Sequence, residues 1–541
     1  MLTLTSYSAD GQTATSVNGV RAGITAGGEL ENYLRNLQTI GLVPLGAWGL
    51  RPFSAPEADV LTNVTGPHPW AKSWLFGRET ARGLVVLPIS VTEHFNSSFP
   101  VGSNNYGVWV GRGLTTEAHG GIAAAWGPLT LVLDPMFFRA ENQSFALQPN
   151  GQSGNGRFAH GDLPDNIDLP QRFGDRPYSR FDLGQSTLRI DLRGFAAGMT
   201  TANQYWGPAT TFPVILGNNA AGIPHAFIGT SHPTNVGIGN VQAQLDYGIE
   251  GQSDFSPVVG PDTFTDVNRP GRKRFMSGLI GTFSPRGLPG LELGAARFFH
   301  QAWFGHIGGA ELSSPFEGLL KNSLPGGQRV QGLGSTDVLK NQLASVFARW
   351  VLPASGFELY AEYGHEDHNA DSRDLAAEPD HSRISTFGFR KVLLRTPTTF
   401  SVLRAEYIDG TDPTLGRNRA EGGAYVHGVL LQGHTQYGQL LGADIGAGSP
   451  AGAELAWESY TPGGHTTLYA RRVVDNNESA AFSTTLAPSG SQHLMGTLGY
   501  EAVRFGKSLD FTYGAALTAA RRAPELPKET NLGFTIGVRT H

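Results

Sequence analysis

Four short stretches of the chain combine aromatic, amide, guanidinium and imidazole side chains, types that can bind carbohydrates. Aromatic rings stack on the apolar C–H faces of sugars, and planar polar groups hydrogen-bond to pairs of hydroxyls. The candidate ligand-binding residues are Asn203, Tyr205 and Trp206 before Gly207-Pro208, Trp109 and Arg112, Gln171 and Arg172, and His225. The same glycine- and proline-rich stretches would also suit internal loops in which Trp and Arg side chains satisfy one another. Trp206 and Asn203 are the first candidates for a ligand contact.

A second stretch is rich in side chains that can bind a metal ion. It contains His365, Glu366, Asp367, His368, Asp371, Asp374, Glu378, Asp380 and His381. The spacing fits neither the HExxH helix of zinc enzymes nor an EF-hand. We therefore favour a solvated external loop and predict no metal site. The alternative is a divalent cation that bridges lipopolysaccharide or an acidic polysaccharide.

Catalytic motifs are poorly represented. Gly184-Gln185-Ser186 lacks the second glycine of a nucleophile elbow and lies at the start of a predicted strand. Glu454 and Glu458 would lie about 13 Å apart along one strand, farther than either glycosidase mechanism requires. The chain has no P-loop and no dinucleotide fingerprint. We predict no catalytic residue and no cofactor, and therefore no enzyme.

Composition excludes several classes of protein. The 541 residues include 72 Gly and no Cys, which rules out disulfides and cysteine-based metal sites. The net charge of −6, without a long basic run, argues against a nucleic-acid partner. No run of 18 apolar residues is present, so a helical membrane protein is excluded. Only 16% of residues are charged, which together with the abundant glycine favours a large antiparallel β-structure.

Alternation with a period of two runs through long segments of the chain. Leu532, Phe534, Ile536 and Val538 alternate with Gly533, Thr535, Gly537 and Arg539, and a matching pattern runs from Leu509 to Ala519. Strands of about 9–13 residues exceed the usual five or six of globular sheets. The polar face carries opposite charges, as in Arg189, Asp191 and Arg193, which suit a hydrated lumen better than a sandwich core. The pattern favours a transmembrane β-barrel over a soluble sandwich.

Short and long connections follow one another, as in outer-membrane barrels. Short turns are predicted at 284–290, 353–356, 394–398, 461–464 and 504–508, with long loops at 301–338, 366–382, 409–423 and 475–490. The alternation fails around Val426–Pro450, where either one strand is missing from the count or a hairpin lies within Tyr437–Gly446. At roughly 25 residues for each strand and connection, residues 85–541 accommodate about 18 strands.

The first part of the chain follows a different pattern. Residues 29–40 place Leu30, Tyr33, Leu34 and Leu37 at helical spacing, after an acidic start and before Gly41. We predict one amphipathic helix that packs on the barrel mouth. Three parts are expected: an unassigned polar segment at 1–28, a helical periplasmic segment at 29–84, and an outer-membrane barrel at 85–541. Residues 1–28 lack the apolar core of a signal peptide, so we expect that the chain is trimmed or that translation starts upstream.

Six segments, taken in order, resemble one protein family. They are 104–145 (beginning NNYGVWVGRG), 167–185 (ending RFGDRPYSRFDLGQ), 203–230 (NQYWGPATTFPVILGNNAAGIPHAFIGT), 274–297, 349–390 (with GFELYAEYG) and 425–445 (YVHGVLLQGHTQYGQLLGADI). The ordered series resembles the Wzi capsule-assembly family of outer-membrane proteins. The resemblance implies an eighteen-stranded barrel with a short periplasmic helical segment.

The resemblance also implies a function. It implies lectin-like binding of capsular or related extracellular polysaccharide, attachment of that polysaccharide to the cell surface, and a location in the bacterial outer membrane. The lipid and lipopolysaccharide of that membrane would be further partners, and the oligomeric state stays open. Charged residues on the predicted inner face leave a porin-type transport channel as the main alternative. An outer-membrane hydrolase is a third hypothesis, which no motif supports.

Overall fold

The computed structural model describes residues 23–76, 84–255, 273–303, 305, 307–317, 340–366, 372–377, 379–380, 382–411, 423–427, 430–475, 493–523 and 525–541. Four α-helices lie within these ranges: α1 (Glu29–Thr39), α2 (Ala55–Leu61), α3 (Gly309–Ser313) and α4 (Ser372–Ala377). Within the same ranges, none of the helices has the length and apolar character needed to cross a bilayer.

Most of the described chain consists of β-strands, numbered here in chain order. They are β1 (Leu50–Arg51), β2 (Leu84–Val86), β3 (Ser90–Asn96), β4 (Gly113–His119), β5 (Ile122–Trp126), β6 (Leu129–Leu133), β7 (Met136–Ala140), β8 (Tyr178–Asp182), β9 (Thr187–Leu192), β10 (Phe195–Thr200), β11 (Tyr205–Trp206), β12 (His225–Thr230), β13 (Thr234–Asn235), β14 (Gly239–Gly251), β15 (Lys273–Pro285), β16 (Leu291–Ala302), β17 (Lys340–Leu352), β18 (Phe357–Glu366), β19 (Arg383–Arg395), β20 (Phe400–Asp409), β21 (Thr435–Gln436), β22 (Gln439–Leu440), β23 (Ala451–Thr461), β24 (Gly464–Val474), β25 (Leu494–Arg504), β26 (Leu509–Arg521) and β27 (Glu529–Thr540).

One large sheet contains all of these strands except two small pairs, β1 with β11 and β21 with β22. Its strands pair antiparallel with their neighbours, and the last strand, β27, pairs with β3 near the start, so that the sheet closes on itself. We call this closed sheet the barrel and its interior the lumen. The prediction of an all-β, antiparallel protein with a short N-terminal helix is confirmed at this level.

Four positions around the barrel carry broken strands. At each position, two short strands that follow one another along the chain take the place of one long strand, and both pair with short strands of the neighbouring position. These are β2 with β3, β4 with β5, β6 with β7, and β8 with β9. Pro88 and Pro135 lie at two of the breaks, and proline has no amide hydrogen to donate to a ladder. Gly184, at a third break, has a left-handed φ of 59° that a regular strand cannot contain.

The two faces of the barrel wall differ in polarity, as the sequence predicts. Ile536 is 65% exposed and Phe534 49% exposed on the outer face, whereas Asn531 and Asp510 on the inner face are each 1% exposed. Charged pairs line the lumen, among them Arg189 with Asp191 at 2.9 Å. The wall is therefore apolar outside and polar inside, the reverse of a soluble globular fold.

The stretch around Val426–Pro450, where the predicted alternation fails, lies inside the lumen. Strand β20 pairs directly with β23, so no barrel strand is missing there. The stretch instead contains the small hairpin β21–β22, slightly before the predicted position. His434 anchors the hairpin: its Nε2 donates to the carbonyl of Ile215 at 2.6 Å, and its Nδ1 lies 2.7 Å from Nε2 of His300. Burial lowers the pKa of His434 to about 3, so this anchor is uncharged at neutral pH.

A second internal segment, residues 201–224, packs beside the first. Glu406 on β20 accepts hydrogen bonds from the backbone amides of Thr210 and Thr211 at 2.8 and 2.9 Å. Apolar side chains from both segments and from the inner wall form one buried cluster, which includes Phe212, Ile215, Leu440, Ile280 and Phe298. The lumen therefore has an apolar core of its own.

The predicted N-terminal helix is present, and it is more deeply buried than a helix resting on the barrel mouth. Nine of the eleven residues of α1 are buried, polar ones included. Arg35 of α1 binds Glu358 of the inner wall through Nε at 2.9 Å and Nη2 at 2.5 Å. The amphipathic pattern locates only the apolar side of the helix, because its polar side is buried against the charges of the lumen.

Candidate functional site

The first candidate for a ligand contact, Trp206, is fully buried in the lumen. Its strand β11 pairs with β1, where Leu50 lies opposite Trp206. The indole meets the ring of Phe298 edge-on at 6.0 Å between centroids. A Cβ at Gly278 would lie 2.4 Å from its Cη2 atom, so the wall fits closely around the ring. Nε1 has no hydrogen-bond partner among the described residues.

Asn203 and Tyr205 are also buried and hold the internal segment together. The Asn203 amide donates to the carbonyls of Gly217 and Ala220 at 3.0 and 2.9 Å. The Tyr205 hydroxyl donates to the carbonyl of Thr210 at 2.5 Å, and the Arg51 guanidinium lies 4.1 Å from its ring centre. Burial raises the pKa of Tyr205 well above its ordinary value. These contacts give both residues a structural role, and ligand binding by them stays a prediction.

Two arginines of the predicted set link loops at the end of the barrel where the long connections lie. Arg112 donates to the carbonyl of Ser97 at 3.2 Å and to that of Ser144. Arg172 donates to the carbonyl of Asn142 at 2.6 Å and lies 3.2 Å from Asp175. Both guanidinium groups therefore have protein partners.

Two further predicted residues, His225 and Gln171, lie in different parts of the lumen. His225 is buried, with Nδ1 2.6 Å from the carbonyl of Ile223. The Gln171 amide donates to the carbonyls of Gln148 and Ala159 at 3.1 and 2.9 Å, and its side chain also lines a cavity. The structure thus distributes the eight predicted residues over several parts of the lumen.

A cavity of about 630 Å³ lies in the lumen beside β3 and β24–β27. Of the eight predicted residues, Trp109 and Gln171 line it. Sequence reasoning missed its other polar and aromatic lining residues, which include Gln148, Gln439, Tyr469, Arg471, Asp475, His493, Glu501 and Asn531. The alternating pattern places several of these on the inner face but does not show that they share one cavity.

Trp109 and Tyr469 are two of the aromatic side chains that line the cavity. Trp109 packs edge-on against Phe173 at 4.9 Å, and its Nε1 has no partner among the described residues. Tyr469 lies directly opposite Gly499 in the β24–β25 ladder. A Cβ at Gly499 would lie 2.2 Å from Cζ of Tyr469, so the ring rests on the backbone of the neighbouring strand. Stacking surfaces and an unused donor are what a sugar-binding cavity requires.

A histidine–carboxylate cluster closes the cavity at the end with long connections. His493 lies 3.6 Å from Asp475 and 3.4 Å from Asp162, and His160 lies 3.9 Å from Asp475. Although burial opposes its charged form, the neighbouring carboxylates raise the pKa of His493. Burial likewise opposes the charge of Asp475, yet the two histidines lower its pKa. The cluster ties the loop after β7 to the ends of β24 and β25.

Only part of the predicted acidic loop, residues 365–381, lies within the described residues. Asp367, His368, Asp371, Glu378 and His381 lie outside the described residues. Within the described part of the chain, no group of three or more His, Asp or Glu side chains is arranged to hold a metal ion.

Comparisons with known proteins were made for sequence and for structure. The family described as "Capsule assembly protein Wzi" matches residues 97–521. The search of curated proteins gave no match. A solved structure with a TM-score of 0.60 is that of Wzi from Escherichia coli, an outer-membrane protein involved in group 1 capsule assembly and a carbohydrate-binding β-barrel. It is 15% identical, and the alignment covers 96% of this chain and 99% of that one.

Other solved barrels are less similar. OpdQ from Pseudomonas aeruginosa is 9% identical over 84% of this chain and 97% of its own, with a TM-score of 0.39. OccAB3 from Acinetobacter baumannii is 9% identical over 84% and 98%, with a TM-score of 0.40.

Proposed function

Since the chain belongs to the capsule assembly protein Wzi family, we propose that it is an outer-membrane β-barrel that binds extracellular or capsular polysaccharide and attaches it to the cell surface. The observation that carries the proposal is a sugar-sized cavity with aromatic side chains in its wall, inside a barrel whose lumen also contains a buried apolar core. A packed lumen suits a binding protein better than a channel. The proposed activity is binding and not catalysis.

We infer a transmembrane barrel of eighteen strands. Counting each broken pair as one strand gives four, and β10, β12, β14–β20 and β23–β27 contribute the other fourteen. An even number of tilted antiparallel strands with an apolar outer face is typical of outer-membrane barrels. The exposed outer face, which includes Phe137, Leu468 and Leu517, would contact membrane lipid and lipopolysaccharide. The division of the chain at residues 28 and 84 stays a prediction.

The porin-type alternative rested on the charges of the inner face. Many of those charges are paired, as in Arg404 with Glu454 at 2.8 Å and with Glu458 at 3.1 Å. The internal segments at 201–224 and at 423–427 and 430–450 pack against the same wall. The charges therefore serve to hold these segments in place, and a continuous water-filled path is not their function.

Planar-bilayer recording separates these alternatives. We expect the purified barrel to insert without producing stable conductance steps, because its lumen is packed. A known porin, purified and inserted in the same way, is the positive control. Regular open steps from the barrel would favour a channel and contradict this part of the proposal.

Deletion of the gene tests attachment. We expect the ratio of cell-associated to shed polysaccharide to fall severalfold while total polysaccharide stays the same, because synthesis does not depend on the barrel. Complementation with the intact gene restores the ratio and serves as the control. An unchanged ratio in the deletion strain would show that the attachment role is wrong.

A further inference from the structure

We propose that the cavity accepts a sugar unit without a carboxylate, most tightly one bearing a protonated amine, which stacks on Tyr469 beside Glu501. The inference rests on the proposed function, because it names the class of sugar that the polysaccharide-binding site selects. It is carried by the charges and contacts of the cavity wall.

Tyr469 provides the stacking surface. Its ring rests against Gly499 on the adjacent strand, where any Cβ would displace it, and the ring lines the cavity. The Arg471 guanidinium lies 5.5 Å from the ring centre on the same strand. The ring is therefore held in place from the wall side, as a platform for the apolar face of a sugar must be.

Glu501 differs from three glutamates of the inner wall that are bound to arginines. Glu358, Glu454 and Glu458 are buried and bound to arginines. Glu501, by contrast, is exposed within the cavity and forms no hydrogen bond or ion pair with the described residues. It follows Gly499 at the next inward position of β25, which places its carboxylate next to the Tyr469 platform. A carboxylate without an ion-pair partner among the described residues is available to a ligand amine.

Carboxylates outnumber guanidinium groups around the cavity. Its lining contains four carboxylates, Glu117, Asp444, Asp475 and Glu501, two guanidinium groups, Arg471 and Arg522, and four imidazoles, His94, His160, His465 and His493. Each guanidinium already binds a glutamate outside the lining: Arg471 lies 2.6 Å from Glu454, and Arg522 lies 2.5 Å from Glu529. The two guanidinium groups are thus already paired, whereas Glu501 has no ion-pair partner among the described residues and feels Arg471 and His465 only at longer range.

This balance determines which sugars fit. A uronic acid would bring a further negative charge into a cavity that offers it no uncommitted arginine, and like charges brought together in a site weaken binding. A neutral sugar avoids this repulsion. An amine-bearing sugar gains an attraction to Glu501, strengthened by the low dielectric constant of the packed lumen.

The test uses the full-length barrel in detergent and three size-matched oligosaccharides: a glucosamine oligomer, a neutral glucan and a uronic acid oligomer. By calorimetry at neutral pH we expect the glucosamine oligomer to bind tightest and the uronic acid oligomer at least about tenfold more weakly. Glu501→Gln should remove the advantage of the amine and leave the neutral glucan unaffected. Glu141→Gln removes an exposed carboxylate outside the cavity and is the matched control.

Two further variants test the platform. Tyr469→Ala should weaken binding of all three oligosaccharides, whereas Tyr469→Phe, which keeps the ring and folds with the same packing, should retain binding. Equal binding of the three sugars, tightest binding of the uronic acid oligomer, or no binding of any would overturn the inference. The proposed function fails by a different result, the unchanged ratio of attached to shed polysaccharide in the deletion strain.

Discussion

Replacing Trp206 by alanine is expected to lower the free energy of unfolding by about 3–5 kcal/mol, the usual cost of removing a fully buried large aromatic side chain. The indole fills the space between Leu50, Phe298 and the Gly278 backbone, and no described side chain is placed to replace it. Urea titration of the barrel in detergent, followed by tryptophan fluorescence and by its migration on unheated gels, measures the loss.

A matched control comes from the outer face. Trp126 is 56% exposed at the end of β5, so Trp126→Ala should change the free energy of unfolding by less than about 1 kcal/mol in detergent. Equal effects of the two substitutions would contradict the structural role of Trp206. Polysaccharide binding measured on the same samples tests its predicted ligand contact: a variant that is destabilised yet binds as tightly as the parent chain has no ligand contact at Trp206.

Trp206 shows what the sequence can and cannot predict here. A tryptophan three residues after an asparagine and just before Gly-Pro has the same local pattern in a sugar site and in a tightly packed internal turn. The two differ only in what surrounds the ring, and here the surroundings come from β16, whose Phe298 is far away in the sequence. Residue type therefore identified a position that matters without distinguishing packing from ligand binding.

The barrel wall was more predictable, because each strand carries its own signal. Leu509 to Ala519 and Leu532 to Val538 alternate as predicted, with the apolar side chains exposed and the intervening ones directed inwards. A membrane outside and a polar lumen inside impose this pattern residue by residue. The segment around Val426–Pro450 obeys no such rule, because a chain inside the lumen meets neither lipid nor a repeating neighbour.

The contacts within the cavity depend on how neighbouring strands are aligned, which the sequence of each strand does not reveal. Tyr469 and Gly499 both lie in recognisable strands, yet their contact depends on the register between β24 and β25. Since the loop that joins these strands is long, its length does not fix that register. Glu501 looks in the sequence like any inward carboxylate, and only the positions of the arginines reveal that it forms no ion pair with the described residues.

Glu358 is the position where a single substitution should most disturb the docking of the N-terminal helix. Its carboxylate binds Arg35 of α1 and Arg349 of β17, the latter at 2.8 Å, and all three side chains are essentially inaccessible. Glu358→Ala leaves two buried cations without their main charged partner, and the nearest carboxylate left to Arg349 is that of Glu292 at 3.9 Å, beside its hydrogen bond to the neutral Gln38 at 2.7 Å. Breaking a buried pair in this way costs about 3–5 kcal/mol. Hydrogen exchange of residues 29–39 should increase accordingly, while the barrel strands stay protected.

Two comparisons separate this effect from the loss of any ion pair. Glu529→Ala removes the partner of Arg522, whose pair is partly exposed, and should cost less than about 1 kcal/mol. Adding Arg35→Met to Glu358→Ala should recover part of the protection of α1, because it removes one of the stranded cations and keeps the apolar stem. If Glu358→Ala weakened protection no more than Glu529→Ala, the buried charges would not be what fixes the helix. Recovery by the double variant would show that the penalty arises from unpaired charge within the lumen and not from the lost side-chain volume.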